Sequence, residues 1–258
     1  MAKKKKSEET QIPELVVDKN PITLLPLKCR NQKQKHFISE IKNHDITICD
    51  GIAGSGKTYI ALYEGLLGVI TKQYDKVILC KSVISTPNED IGFIPGTVEE
   101  KMEPHILSYK GNMSKMLKNP GNVERLFKEK KVEVLPLAYI RGVTLDKSYI
   151  IIDESQNITM NLFKSIITRI GDDSKMIFLG DIEQVDFDQE KKRKQSALQH
   201  IIDIFKDESY MGYCHFNDDE VVRNPIIPKV IQKLRDWNDK LQKRRSKNPL
   251  FLFVHSYS

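Results

Sequence analysis

Gly51-Ile-Ala-Gly-Ser-Gly-Lys-Thr58 decides how this chain is read. A β-like run, Ile46-Thr-Ile-Cys-Asp50, leads into it, and a helical one, Tyr59-Ile-Ala-Leu-Tyr-Glu64, leaves it. Strand, glycine loop and helix in that order make a phosphate-binding loop. The glycines let backbone N–H groups turn inward around phosphate oxygens, and the helix N-terminus adds positive dipole. Gly51, Ala53, Gly54, Ser55, Gly56, Lys57 and Thr58 form the expected nucleotide cradle. Lys57 is expected to reach the β- and γ-phosphates of ATP, and the Thr58 hydroxyl to ligate Mg²⁺.

A phosphate loop needs a metal partner. Ser148-Tyr-Ile-Ile-Ile-Asp-Glu154 reads as a buried strand ending in two carboxylates, expected beside the end of the first strand. Asp153 is expected to hold Mg²⁺ through water, and Glu154 to orient and deprotonate the attacking water. Adjacent residues at a strand end point differently, which suits this division of labour. A further strand, Lys175-Met-Ile-Phe-Leu-Gly-Asp181, ends in Gly-Asp, with Gln184 three residues on. Gln184 is the expected γ-phosphate sensor.

Outward from these motifs, strand-like runs occur at 46–50, 77–80, 132–137, 148–152, 176–179 and 210–216. Helical patterns fall at 32–43, 58–70, 160–170 and 196–206, with a C-terminal one from Ile227 that is basic on its other face. Alternating strands and helices predict an α/β fold with a parallel sheet covered on both faces. Residues 86–131 break the rhythm and predict an inserted, partly helical excursion. The expected layout is a basic tail at 1–25, a single ATPase domain over 26–246 and a C-terminal tail at 247–258.

No apolar run approaches the ~20 residues of a membrane span, and the lysines at the N-terminus are not followed by the apolar stretch of a secretory signal. The four cysteines are scattered, without a C-x-x-C pair. Cys49 and Cys80 read as buried thiols of a cytoplasmic protein. The net charge of +6 is modest, but basic residues cluster at Lys3–Lys6, Lys28–Lys35, Lys191–Lys194 and Lys243–Arg245. Such clusters suit a polyanion partner.

Together these stretches resemble the PhoH family of P-loop ATPases, related to the ATPase core of superfamily 1 helicases. The resemblance runs over about residues 24–235. It is carried also by Ile-Gly-Phe-Ile-Pro-Gly at 91, Glu-Lys-Met-Glu-Pro at 100 and Leu-Ala-Tyr-Ile-Arg-Gly at 137. Ile-Asp-Glu-Ser-Gln-Asn at 152, Thr-Arg-Ile-Gly at 168, Gly-Asp-x-x-Gln at 180 and Val-Val-Arg-Asn at 221 complete it. The resemblance implies a RecA-like fold, use of ATP and Mg²⁺, binding of single-stranded nucleic acid (RNA before DNA), possible helicase activity and a ring of six subunits. Short stand-alone forms of this kind are often phage-encoded. Gln34 matches the glutamine that reads adenine in the related helicases; an exposed helix residue is the alternative. The chain departs from the pattern at Ser155, at Asn224 and at Lys81-Ser82, where an arginine-proline pair is usual. A nuclease-like N-terminal domain is not implied by a lead-in of about 25 residues, below the roughly 50 of ordinary domains.

Phosphoryl transfer gains from an arginine on the γ-phosphate, often supplied by a neighbouring subunit. Arg223 is the first candidate, after the last strand, and Arg141 the second, before the acidic strand. Two other classes compete with the ATPase reading. One is a P-loop kinase, which the acidic pair at 153–154 disfavours because it suits water as acceptor. The other is a nucleic-acid-binding protein using ATP only as a structural ligand.

Overall fold

The computed structural model describes residues 21–81, 98–182, 197–222 and 226–247. Among these residues six strands form one sheet: β1 (Ile46–Gly51), β2 (Lys76–Lys81), β3 (Val132–Pro136), β4 (Ser148–Asp153), β5 (Lys175–Leu179) and β6 (Met211–Phe216). Their order is β3-β2-β4-β5-β1-β6, and every pairing is parallel. Among the described residues, seven α-helices accompany them: α1 (Gln32–Asn43), α2 (Lys57–Ile70), α3 (Val98–Met116), α4 (Asn122–Lys128), α5 (Met160–Ile167), α6 (Leu198–Phe205) and α7 (Ile226–Lys247).

The strands are apolar on both faces, as a sheet sandwiched between helices requires. Residues alternate between two cores. Cys49, Val77, Leu79, Ile151, Ile177 and Leu179 join the core under α1–α4. Ile48, Ile78, Ile150, Ile152, Met176 and Phe178 join the core under α5 and α6. α1 starts where the Asn31 side chain accepts from Gln34 N. It buries Gln34, Phe37 and Ile41, one face of its turns. Cys49 and Cys80 are buried free thiols, as expected.

The strand order corrects one expectation. The acidic strand β4 is not beside β1: β5 lies between them, pairing with β1 through Ile46↔Met176 and with β4 through Ile150↔Met176. The end of β5, Gly180-Asp181, is thereby set between the phosphate loop and the acidic pair. The excursion contributes α3 and α4, and α3 is held to the lead-in by Leu25 N donating to Met116 O at 2.7 Å and Lys118 N to Thr23 O at 2.9 Å. Among the described residues, no helix is long and apolar enough to cross a membrane.

Candidate nucleotide site

The carboxyl ends of parallel strands carry ligands in open α/β sheets, and Lys57, Thr58, Asp153 and Glu154 gather at that edge. β1 runs straight into the phosphate loop. Gly51, Gly54 and Gly56 have φ of 125°, 90° and 93°, a left-handed backbone that favours glycine. A Cβ on Gly51 would sit 2.2 Å from Phe216 O on the neighbouring strand, so no side chain fits there. Lys57 Nζ donates to Gly51 O at 2.5 Å and to Ile52 O at 2.9 Å. An ammonium has three donors; two pin the side chain across its own loop and one is left for an incoming oxygen.

α2 begins at the loop and places Thr58 Oγ1 3.5 Å from Asp153 Oδ1. Asp153 ends β4, half-buried. Burial first, and the nearby Glu154 charge second, raise its carboxyl above the ordinary range. Glu154 turns out of the strand with φ 57°, an unusual conformation for a side-chain-bearing residue and of the kind that clusters at functional sites. Its Oε2 accepts from Gln156 Nε2 at 2.7 Å, and its Oε1 lies 3.5 Å from Lys81 Nζ. Gln156 Oε1 accepts from Asp181 N at 3.1 Å, so one amide links the acidic pair to the end of β5. Ser155 satisfies its hydroxyl on Ile152 O at 2.8 Å.

These groups open on a cavity of about 1090 Å³ lined by Gly54, Lys57, Thr58, Asp153 and Glu154 among others. Its far walls are Leu25–Arg30 and the face of α3 bearing Ser108, Asn112 and Lys115. The Lys28–Lys35 cluster is therefore divided: Lys28 and Arg30 line the cavity. Gln34 is buried, not exposed, and both ends of its amide are engaged. Oε1 accepts from Arg30 N and Nε2 donates to Ser55 O, each at 2.8 Å.

Mg²⁺ fits the donor set. Among the described residues no group of three or more His, Cys, Asp or Glu side chains could hold a metal. Mg²⁺ needs no such cage: it binds through one or two carboxylates, waters and substrate phosphates. The Thr58 hydroxyl and the Asp153 carboxylate supply hard oxygens where those phosphates would lie.

Not every expected residue comes together here. Gln184 and Arg223 lie outside the described residues, as do the Gly-Phe-Ile-Pro-Gly stretch and Lys191–Lys194. Arg141 is exposed on a single 3-10 segment, Leu137–Gly142, and does not line the cavity. Beside it Tyr139 is 58% exposed, while Leu137 and Ile140 anchor the segment in the core. Three participants escaped the sequence reading. Lys81 reaches Glu154 because β2 pairs with β4 in the register Lys81↔Asp153. Gln156 stood within the Asp-Glu-Ser-Gln motif, but its bond to Asp181 depends on the strand order. Tyr109, whose hydroxyl donates to Asp153 Oδ2 at 2.9 Å, gave no local signal.

The family model described as PhoH-like protein matches residues 26–235. The PhoH-like protein of Synechocystis sp. is 34% identical over 206 residues, covering 80% of this chain and 61% of that protein. The PhoH-like protein of Bacillus subtilis is 32% identical over 206 residues, covering 80% and 63%. The chain thus spans about three fifths of the length of these relatives. Among solved structures, the large terminase from a thermophilic bacteriophage aligns over 78% of this chain and 49% of its own, at TM-score 0.47 and 12% identity.

Proposed function

The chain belongs to the PhoH-like protein family and has a RecA-like P-loop NTPase fold; from that premise we propose that it is a Mg²⁺-dependent ATPase that acts with single-stranded nucleic acid, RNA before DNA. The observation that carries the reading is the approach of Thr58 to Asp153, with Glu154 next in the chain and Lys57 pinned over the loop. Lys57 offers its remaining donor to the β/γ-phosphate oxygens. Thr58 and Asp153 would hold Mg²⁺, which when bound neutralises charge developing on those oxygens. Glu154, turned toward the cavity by its left-handed backbone, accepts the proton of the attacking water. Lys81 and Gln156 hold the Glu154 carboxylate in place. Gln184 is the γ-phosphate sensor of this proposal.

The nucleic-acid part rests on the exposed pair Tyr139 and Arg141, a stacking face beside a cation, and on the basic clusters of the sequence. The working unit proposed is a ring of six subunits with possible helicase activity. A heterologous head-to-tail contact closes into a ring when its rotation closes, and it covers the open side of a single-domain nucleotide site. The exposure of Arg141 favours it as the residue offered to a neighbour. Arg223 follows Val222, whose N–H is bound to Gly54 O of the same subunit, and this favours service to its own nucleotide. The reading is tested by phosphate release from ATP, with and without Mg²⁺, unstructured RNA or single-stranded DNA. Mg²⁺-dependent release stimulated by RNA is expected; no release under any condition refutes it.

A further inference from the structure

Tyr109 enters the site from the excursion, far in sequence from the loop and the acidic strand. Its Oη donates to Asp153 Oδ2 at 2.9 Å. The residue is 3% exposed and packs with Met113 and Met116 in the core under α1–α4. The other carboxylate oxygen, Oδ1, accepts from Glu154 N at 3.2 Å and from Thr58 Oγ1 at 3.5 Å. The terminal torsion of an aspartate is broad. Fixing Oδ2 from one side therefore turns Oδ1 toward Thr58 and the phosphate loop. On either side of Tyr109 in α3, Ser108, Asn112 and Lys115 line the nucleotide cavity.

We propose that Tyr109 is a positioning residue that holds Asp153 in the orientation Mg²⁺ binding requires, and that α3 is thereby part of the metal site as well as a wall of the nucleotide cavity. This rests on the ATPase reading above. Partners that orient a metal-ligating side chain are worth about 10–100-fold in metal affinity or activity. The hydroxyl, not the ring, carries the effect, and the end of the helix is held independently where Met116 O accepts from Leu25 N.

The test is equilibrium binding of a fluorescent, non-hydrolysable ATP analogue, titrated with Mg²⁺ and repeated in EDTA. Tyr109→Phe keeps the ring and removes the donor. It is expected to raise the Mg²⁺ midpoint about tenfold while leaving the affinity in EDTA unchanged. Met113→Leu disturbs the packing of α3 without touching the hydroxyl, and is expected to leave the Mg²⁺ midpoint at the wild-type value. A Tyr109→Phe midpoint equal to wild type overturns the proposal. So does a parallel loss of affinity with and without Mg²⁺, or an equal rise in Met113→Leu, since either assigns the effect to packing. Nucleotide binding by the wild type that ignores Mg²⁺ refutes the ATPase reading itself and this proposal with it. Failure confined to the variants leaves that reading standing.

Discussion

The backbone N–H of Val222 donates to the carbonyl of Gly54 at 3.1 Å, so the chain leaving β6 is tied to the phosphate loop. Neighbouring residues reinforce the tie. Arg30 Nη1 donates to Val222 O at 2.7 Å, Asn31 Nδ2 to Glu220 O at 3.3 Å, and Gln34 Nε2 to Ser55 O at 2.8 Å. The lead-in, the loop and the exit from β6 form one hydrogen-bonded unit around the nucleotide cradle.

Within this unit Gln34 braces the loop. Its amide has a chain partner at each end, and one N–H and one oxygen lone pair remain on the side chain, which lines the cavity. Gln34→Ala is expected to weaken binding of ATP and GTP alike, by roughly tenfold for a buried hydrogen bond worth about 1–1.5 kcal/mol. Competition binding with both nucleotides checks this. A loss confined to ATP would show that Gln34 reads adenine instead.

The two candidate arginines give a second prediction. Lys57→Ala and Arg141→Ala are each expected to be inactive alone and to regain activity on mixing, where an intact pocket meets an intact neighbouring arginine. Lys57→Ala mixed with Arg223→Ala is expected to regain nothing, because Arg223 follows the residue tied to its own subunit's loop. Subunit exchange is verified by mass photometry or native mass spectrometry. Rescue by the Arg223→Ala partner, or a strictly monomeric mass with ATP, contradicts this arrangement.

How much of this was legible beforehand divides along the range of the interactions. Phosphate loop, acidic strand end and alternation of elements are local patterns, and the strands at Ile46, Lys76, Val132, Ser148, Lys175 and Met211 fall where those patterns predict. The β3 pattern through 137 ends one residue early, because Leu137 begins the 3-10 turn that carries Tyr139 and Arg141. Strand order was not local. The insertion of β5 between β1 and β4 depends on which strands pair, and periodicity carries no information on that. Lys81, Gln156 and Tyr109 share this origin: each meets Asp153, Glu154 or Asp181 only after the sheet and α3 have assembled. Gln34 was readable as a motif residue, but its burial was set by the loop folding over it.

Nucleic-acid binding has a distinct signature. Lysine and arginine contacts to phosphates release counterions, so affinity for unstructured RNA is expected to fall steeply with salt. Tyr139→Ala is expected to lose one stacking contact, about 1–3 kcal/mol or roughly 5–150-fold, without changing the salt slope. A salt titration by fluorescence anisotropy measures both. Binding that ignores salt, or a variant with unchanged affinity, counts against this surface.

α7 is joined to the sheet exit by Arg235 and Asp218, with Nη2 to Oδ1 at 3.0 Å. The Arg235 hydrogen bond lowers the Asp218 carboxyl below its ordinary value of 3.8. Because the folded value lies below the unfolded one, the stabilisation is complete above about pH 4. It is lost as the pH falls through the folded value. Trp237 is the one tryptophan of the chain and stands on this helix, so its fluorescence anisotropy reports the tie. A flat response from neutral pH to about 4, then a drop below it, is expected, with no such acid step in Arg235→Ala. An acid step of equal size in the variant excludes this pair as its cause.

The most direct test of the central claim, that Glu154 is the base of an ATP-hydrolysing site, is single-turnover phosphate release by Glu154→Gln beside the wild type. Nucleotide affinity is measured on the same samples. The substitution keeps the size of the side chain and one of its two accepting oxygens but removes the proton acceptor. The account predicts an unchanged affinity for ATP with Mg²⁺ and a rate lower by about 10²–10⁴-fold, the range for a general base. A variant that binds ATP and hydrolyses it at the wild-type rate contradicts it.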